Sequence, residues 1–190
     1  MSTAAIIISI IYVIALTTSI VPLAVGLEPK GIGTPARRVV ISLVFGATHA
    51  LMALIGYLLG TLVDYLFGDT LRYLVFAMMI IVAIKMFIDS MKVLKGKRLY
   101  SFTSNWGFLL VAILTSMNTL LMGIVGPGFM PFGDWYYLVL AGIAALWTIL
   151  SIRVPYGPKM LRNTSFIEFS GSVFMLVIAI LFMFTDLMQI

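Results

Sequence analysis

Six apolar runs, each about the length of a hydrocarbon-spanning helix, alternate along the chain with short segments that hold nearly all of its charges. A helix needs about 20 residues to cross a hydrocarbon core of about 30 Å. On that measure the runs predict helices over residues 4–26, 39–63, 73–91, 106–126, 135–152 and 166–184. Two of the runs are interrupted by polar residues in their middles. Residues 16–26 read LTTSIVPLAVG and residues 114–126 read LTSMNTLLMGIVG. A carboxamide such as Asn118 must find hydrogen-bond partners inside a membrane or lose several kcal/mol. Pro22 removes one backbone donor and frees a carbonyl near Thr18. That predicts a kink or local unwinding beside Thr17, Thr18 and Ser19, either purely structural or facing a ligand.

Composition sharpens the picture. Of 190 residues, 62% are hydrophobic and 10% charged, so the chain cannot cover itself with a water-compatible surface. It reads as an all-α, polytopic membrane protein forming one six-helix domain over residues 1–190. The first apolar run lacks the features of a cleaved leader and is expected to stay as a helix. The formal charge of +5 comes from basic residues flanking the runs, which suits topology and contact with membrane lipids and argues against nucleic acid. The segments after predicted helices 1, 3 and 5 carry three, four and three basic residues, and those after helices 2 and 4 carry one and none. The positive-inside rule then places both termini outside the cytoplasmic membrane of a prokaryote. Cysteine is absent, which excludes disulfides and thiolate metal sites. With no Ser–His pair beside an orienting acid and no phosphate-binding glycine loop, neither an enzyme nor a cofactor is expected.

Candidate chemistry lies at mid-depth. His49, the only histidine, stands eleven residues past Arg38, roughly 16 Å in; Asn118 stands twelve past Trp106, roughly 18 Å in. An ionisable residue at that depth is either functional or a neutral histidine tying two helices together. Thr17, Ser19, His49, Ser116 and Asn118 form the candidate substrate-binding set, with no metal ligand beyond His49. Lys85 and Asp89, four apart on one helix face, read as a structural ion pair. Gly56 and Gly60 form a GxxxG pair that suits close helix packing. Glu168 opens predicted helix 6. Each half of the chain, residues 1–94 and 106–190, runs polar-interrupted helix, connection, two further helices. Three spans per half would make the halves an inverted repeat, a common transporter architecture.

Three stretches carry a family resemblance: FGATHALMALIGYLLG at 45–60, IKMFIDSMKVLKG at 84–96 and GFLLVAILTSMNTLLMGI at 107–124. They resemble the manganese efflux pump family, a six-helix group of the lysine exporter superfamily. The resemblance implies a membrane exporter whose metal path uses acidic residues in helices 1, 2 and 4. At those positions this chain has Ser19, His49 and Asn118. Manganese favours carboxylate, carbonyl and water oxygen, so its specificity is not carried over. The expected function is efflux of a small polar solute or a cation through the midplane set. The alternative is a non-transporting subunit or scaffold of a larger membrane complex that keeps the exporter fold; a stoichiometric partner would favour it, and a monomer or homodimer would count against it.

Overall fold

The structure, a computed structural model, describes residues 3–25, 34–96, 105–128, 135–154 and 157–184. The side chains of residues 3–5, 67, 69 and 105 lie outside that description, as do both termini and the segments holding Glu28, Lys30, Lys97, Arg98 and Asp134. Among the described residues the fold is all-α, with helices α1 (Thr3–Thr17), α2 (Ile20–Val25), α3 (Pro35–Phe67), α4 (Leu71–Leu94), α5 (Asn105–Thr115), α6 (Met117–Ile124), α7 (Tyr136–Ile152) and α8 (Pro158–Phe184). Helices α3, α4 and α8 are each long and apolar enough to cross a membrane. The α5–α6 pair meets the same test as one span bent by 41°, and α1 and α7 are apolar but shorter. Large aliphatic and aromatic side chains such as Leu43, Leu58, Ile84, Phe87, Phe166 and Phe174 point outward, while nineteen polar or charged residues are buried among the described ones. That inside-out distribution is what a hydrocarbon solvent selects.

Helix starts lie further out than apolarity alone predicts. Thr34 caps α3, its hydroxyl accepting from the Arg37 amide at 3.4 Å, and Pro35 sits in the first turn, where its fixed φ and missing N–H fit best. Arg37 and Arg38 are therefore helical rather than in a connection. Helix α8 begins at Pro158, eight residues before the expected 166. The Gly157 carbonyl accepts from Met160 and Leu161 at 2.9 and 3.1 Å, and the polar stretch RNTS continues the helix. This shift moves Glu168 from a helix opening to about 15 Å along α8. At its far end α4 stops on Gly96, whose φ of 67° is the left-handed position glycine fills at a helix terminus.

Packing fixes the helices in two sets. Helix α4 lies along α8. Ser165 Oγ donates to the Ser90 carbonyl at 2.8 Å, the Phe87 and Phe169 rings lie 5.8 Å apart, and Arg72 donates to the Phe182 and Met183 carbonyls at 3.3 and 3.0 Å. Falling numbers on one helix meet rising numbers on the other, so the two are antiparallel. Helix α3 lies along α6 and α7. Its glycines are the reason α6 can approach: a Cβ on Gly56 would collide with the Leu120 carbonyl and Gly123 Cα, and one on Gly60 with the Ile124 carbonyl. Numbers rise together here, so α3 and α6 are parallel. Helices α1 and α2 close the bundle against α7 and α8.

The contrast between two glycines tests this packing. Gly56→Ala should cost about 1–3 kcal/mol because the helix backbones must separate. Gly142→Ala, where a Cβ meets nothing within 4 Å, should be neutral or stabilising by about 0.5–1 kcal/mol through helix propensity. Thermal unfolding of the detergent-solubilised protein measures both, and equal effects would refute the close α3–α6 contact.

Candidate functional site

The apolar interior divides into two clusters. One holds Leu16, Ala53, Met86, Met122 and Met175; the other holds Ile20, Phe45, Ala112 and Ala144. Between them, helix by helix, lie polar residues. Thr17, Thr18 and Ser19 separate Leu16 from Ile20, Thr48 and His49 separate Phe45 from Ala53, and Thr115, Ser116, Asn118 and Thr119 separate Ala112 from Met122. All nine are buried. The sequence-predicted residues Thr17, Ser19, His49, Ser116 and Asn118 thus occupy one buried layer across α1–α2, α3 and α5–α6.

The layer exists because two helices break within it. The α1–α2 break at Thr18–Ser19 has a backbone cause. Pro22 cannot donate to the Thr18 carbonyl, and the Val21 amide takes it instead at 3.0 Å, a tighter i→i+3 turn. Hydroxyls add bonds to carbonyls on either side of the breaks. Thr17 Oγ donates to Val13 at 2.8 Å, Thr18 Oγ to Ala15 at 2.8 Å, Thr115 Oγ to Ala112 at 2.8 Å and Ser116 Oγ to Ile113 at 2.9 Å, while Thr119 donates to the Ser116 carbonyl. Each hydroxyl has one donor and two acceptor lone pairs. With the donors turned inward on the backbone, what these side chains can still offer a solute is oxygen lone pairs.

Two polar atoms in the layer find no partner among the described residues, Ser19 Oγ and His49 Nε2. The other imidazole nitrogen, Nδ1, lies 2.9 Å from the Phe45 carbonyl. A carbonyl only accepts, so Nδ1 carries the proton, and Nε2 presents a bare lone pair, the form in which histidine ligates metals. His49 shares its face of α3 with Gly46, Ala53 and Gly56, spaced three and four apart. Gly46 faces α7, where a Cβ would stand 2.6 Å from the Ala141 carbonyl, and Ala53 and Gly56 face Gly123 of α6.

Asn118 is held from α4. Lys85 Nζ donates to Asn118 Oδ1 at 2.6 Å and lies 3.4 Å from Asp89 Oδ2, while Lys92 Nζ lies 3.2 Å from Asp89 Oδ1. The pair that the sequence sets apart, Lys85 and Asp89, and the carboxamide it assigns to the substrate set form one network spanning α4 and α6. Glu168 belongs to the same layer. It lies between the Ser165–Ser90 and Gly171–Met86 contacts of the α4–α8 pair, level with Lys85 and Asp89, and is completely buried. Three residues on and on the same face of α8, Gly171 packs under the α1–α2 break, where a Cβ would collide with Thr18 Oγ1 and approach the Ala15 carbonyl to 3.0 Å. No group of three or more His, Asp or Glu that could hold a metal ion forms among the described residues.

Residues 33–183 match the family described as "Putative manganese efflux pump". The chain belongs to this family. The manganese efflux pump family is one of membrane efflux transporters, so this chain is a membrane protein of that class. No curated protein and no solved structure matches it. Where the resemblance implies acids in helices 1, 2 and 4, the buried polar layer has Ser19, His49 and Asn118. Its carboxylates come instead from α4 and α8, as Asp89 and Glu168. Sequence reasoning passed over Glu168 because the polar residues before it, from Lys159 to Ser165, look like a connection. The signal that could have found it is Gly157–Pro158, a helix start eight residues upstream of the apolar run.

The Lys85–Asn118 bond makes a measurable prediction. In a double-mutant cycle of Lys85→Met and Asn118→Leu, the coupling energy should be about 1–2 kcal/mol, the low end for a hydrogen bond to a charged group because the Lys85 side chain is half exposed. Unfolding of the four proteins in detergent measures it. Additive effects would show that the bond contributes nothing.

Proposed function

We propose that this chain exports a small cation across the cytoplasmic membrane along its two broken helices. The route passes through the layer of Thr17, Ser19, His49, Ser116 and Asn118, with Glu168 supplying negative charge. The carrying observation is the completely buried Glu168, one helical turn from where Gly171 packs under the helix break, near a layer where Ser19 Oγ and His49 Nε2 lack partners among the described residues. A dehydrated cation needs oxygen or nitrogen lone pairs and a counter-charge, and this layer offers both. The donor set of one carboxylate, one imidazole and hydroxyls suits a divalent transition metal. Its nitrogen ligand makes the set softer than the all-oxygen shell manganese favours.

The proposed architecture is six spans in two inverted halves, with α1–α2, α3 and α4 repeated by α5–α6, α7 and α8, and with both termini outside. Support comes from the pairing of helices. Under such a repeat α4–α8 and α3–α7 are self-matched pairs, α3 on α5–α6 matches α7 on α1–α2, and α8 on α1–α2 matches α4 on α6. Each of these contacts occurs, as do the matched contacts α1 with α6 and α2 with α5. An antiparallel α4–α8 and a parallel α3–α6 fit the same scheme. Crossing of interrupted helices near the midplane is how secondary transporters build their sites.

A specific observation supports the rival reading, a non-transporting subunit: hydroxyls at both breaks already donate to local carbonyls. Flux decides between the two. In proteoliposomes loaded with a divalent metal, Glu168→Gln should lower the export rate about ten- to hundredfold, the scale on which loss of a metal-site partner acts. Ser19→Ala and His49→Ala should lower it less, and Asn118→Ala should change it as well. Unchanged flux in Glu168→Gln, His49→Ala and Asn118→Ala together would sink the transport site and favour the subunit.

A further inference from the structure

Two side-chain contacts flank the polar layer, one on each face, alike in place and unlike in chemistry. On one side the Tyr12 hydroxyl of α1 and the Tyr136 hydroxyl of α7 share a hydrogen bond. Both side chains are buried, and the Tyr137 ring stands edge-on to that of Tyr136 with centroids 5.7 Å apart. On the other side the Arg37 guanidinium of α3 lies 5.7 Å from the centroid of the Phe108 ring of α5. Phe108 is buried and Arg37 half-buried. The apolar clusters fix which side is which. Tyr12 and Tyr136 belong to the cluster that holds Leu16 and Met122, and Phe108 to the one that holds Ile20 and Ala112. The layer lies between those clusters, so the two contacts stand on opposite sides of it.

Each contact joins a broken span to the first turn of a neighbouring helix. Tyr136 is the first residue of α7, and Arg37 lies just inside the start of α3. Tyr12 and Phe108 sit on α1 and α5, the half-helices that precede the two breaks. Under the proposed inverted repeat α1 corresponds to α5 and α7 to α3, so the contacts are counterparts. Neither half-helix is held through the layer by a continuous helical backbone. At the first break the Val21 amide turns back on the Thr18 carbonyl. At the second the Ser116 amide is shared between the Ala112 and Ile113 carbonyls at 3.1 and 3.2 Å, where the span bends by 41°. Counted from Thr18 and Ser116, Tyr12 and Phe108 stand on levers of about 9 and 12 Å. A hinge swing of about 20° on such levers parts a contact by about 3–4 Å, out of reach of a hydrogen bond.

Resting on the export reading, we propose that Tyr12–Tyr136 and Arg37–Phe108 are the two gates of the route, opened in turn by swings of α1 and α5 about the breaks. With both contacts made, the layer is shut on both sides. The tyrosine gate is neutral, and once its hydrogen bond parts it offers two hydroxyl oxygens to a passing cation. The other gate carries its own positive charge, which repels a cation until Arg37 swings off Phe108.

No cysteine occurs in the chain, so Ser19→Cys places a single thiol in the buried layer. Labelling it with a membrane-impermeant thiol reagent, in the full chain reconstituted in vesicles of known orientation, reads access from each face separately. Tyr12→Phe removes one hydroxyl of the first gate. It should speed labelling several-fold from the face on which α1 begins and leave the opposite face unchanged. Arg37→Gln should do the reverse. Tyr136→Phe and Phe108→Leu break the same contacts from the facing helix and should reproduce each result, so a variant that fails to fold leaves its counterpart to decide. Gain at neither face overturns the gate concerned, and so does equal gain at both, which means loosened packing. Divalent-metal flux in the same vesicles separates the gates from the export reading. Sided labelling without flux refutes export and leaves the closures standing, whereas flux without sided labelling refutes the gates.

Discussion

A backbone carbonyl cannot stand unpaired in hydrocarbon, and the rest of this structure depends on how two broken helices meet that constraint. At both breaks the answer is local. At the first break the Thr17 hydroxyl reaches the Val13 and Ile14 carbonyls and the Val21 amide takes the one that Pro22 strands; at the second the Thr115 and Ser116 hydroxyls add bonds to the Ala112 and Ile113 carbonyls, which the Ser116 amide also shares. Because no other helix supplies those bonds, neighbouring helices are free to come close, and they do so on glycine. Gly171 sits under the first break for want of room for a Cβ, and Gly56 and Gly123 do the same service where α3 meets α6. The position of Gly171 in turn sets Glu168 one helical turn along α8 from the break.

Charge inside the membrane follows from the same geometry. A carboxylate in low dielectric is tolerated when paired. Asp89 has Lys85 on one oxygen at 3.4 Å and Lys92 on the other at 3.2 Å. Lys85 sits closer to Asn118 than to Asp89, at 2.6 Å, so its ammonium ties α4 to the bent α5–α6 span. Had residue 118 been an aspartate, that tie would be an ion pair between a buried charge and the half-exposed Lys85 ammonium. With a carboxamide it is a charge-assisted hydrogen bond, weaker and easier to exchange. The identity of one side chain therefore decides how firmly two helices are coupled.

Much of the fold was legible in the chain because periodic apolar length and proline act locally. The six apolar stretches, the break beside Thr17–Ser19 and the tight packing at Gly56 and Gly60 follow from residue types alone. The nine buried residues of the polar layer include all five named candidates, since depth can be counted along a helix. Two things escaped. Helix starts at Pro35 and Pro158 lie in polar sequence, where hydrophobicity is silent and only the Thr-Pro and Gly-Pro pairs speak, and misplacing the second hid Glu168. The partner of Asn118 escaped because Lys85 lies 33 residues away, and which helix faces which is a tertiary fact. Pairing Lys85 with Asp89 is what i,i+4 spacing suggests; that its ammonium also reaches another helix is not encoded in spacing.

Under the proposed inverted repeat the two halves would share a packing scheme and differ in what fills it. At the first break Ser19 keeps an open hydroxyl, and the nearest helix, α8, supplies a carboxyl group. At the second break Asn118 is occupied by an ammonium. On the proposed export route a cation would thus meet an acceptor-rich, anionic station on one side of the crossing helices and a positively guarded one on the other. A symmetric pair of stations would bind equally from both faces. Placing the ammonium on only one half makes the two faces unequal, and the inequality rests on Lys85 having two acceptors, Asp89 and Asn118, within one side chain's reach. A lysine that can lean to Asp89 vacates the carboxamide without leaving its own charge unpaired, which lowers the cost of opening that station. The asymmetry needs no additional element: it follows from replacing an acid by an amide at one helix break while an acid remains on α8 beside the other.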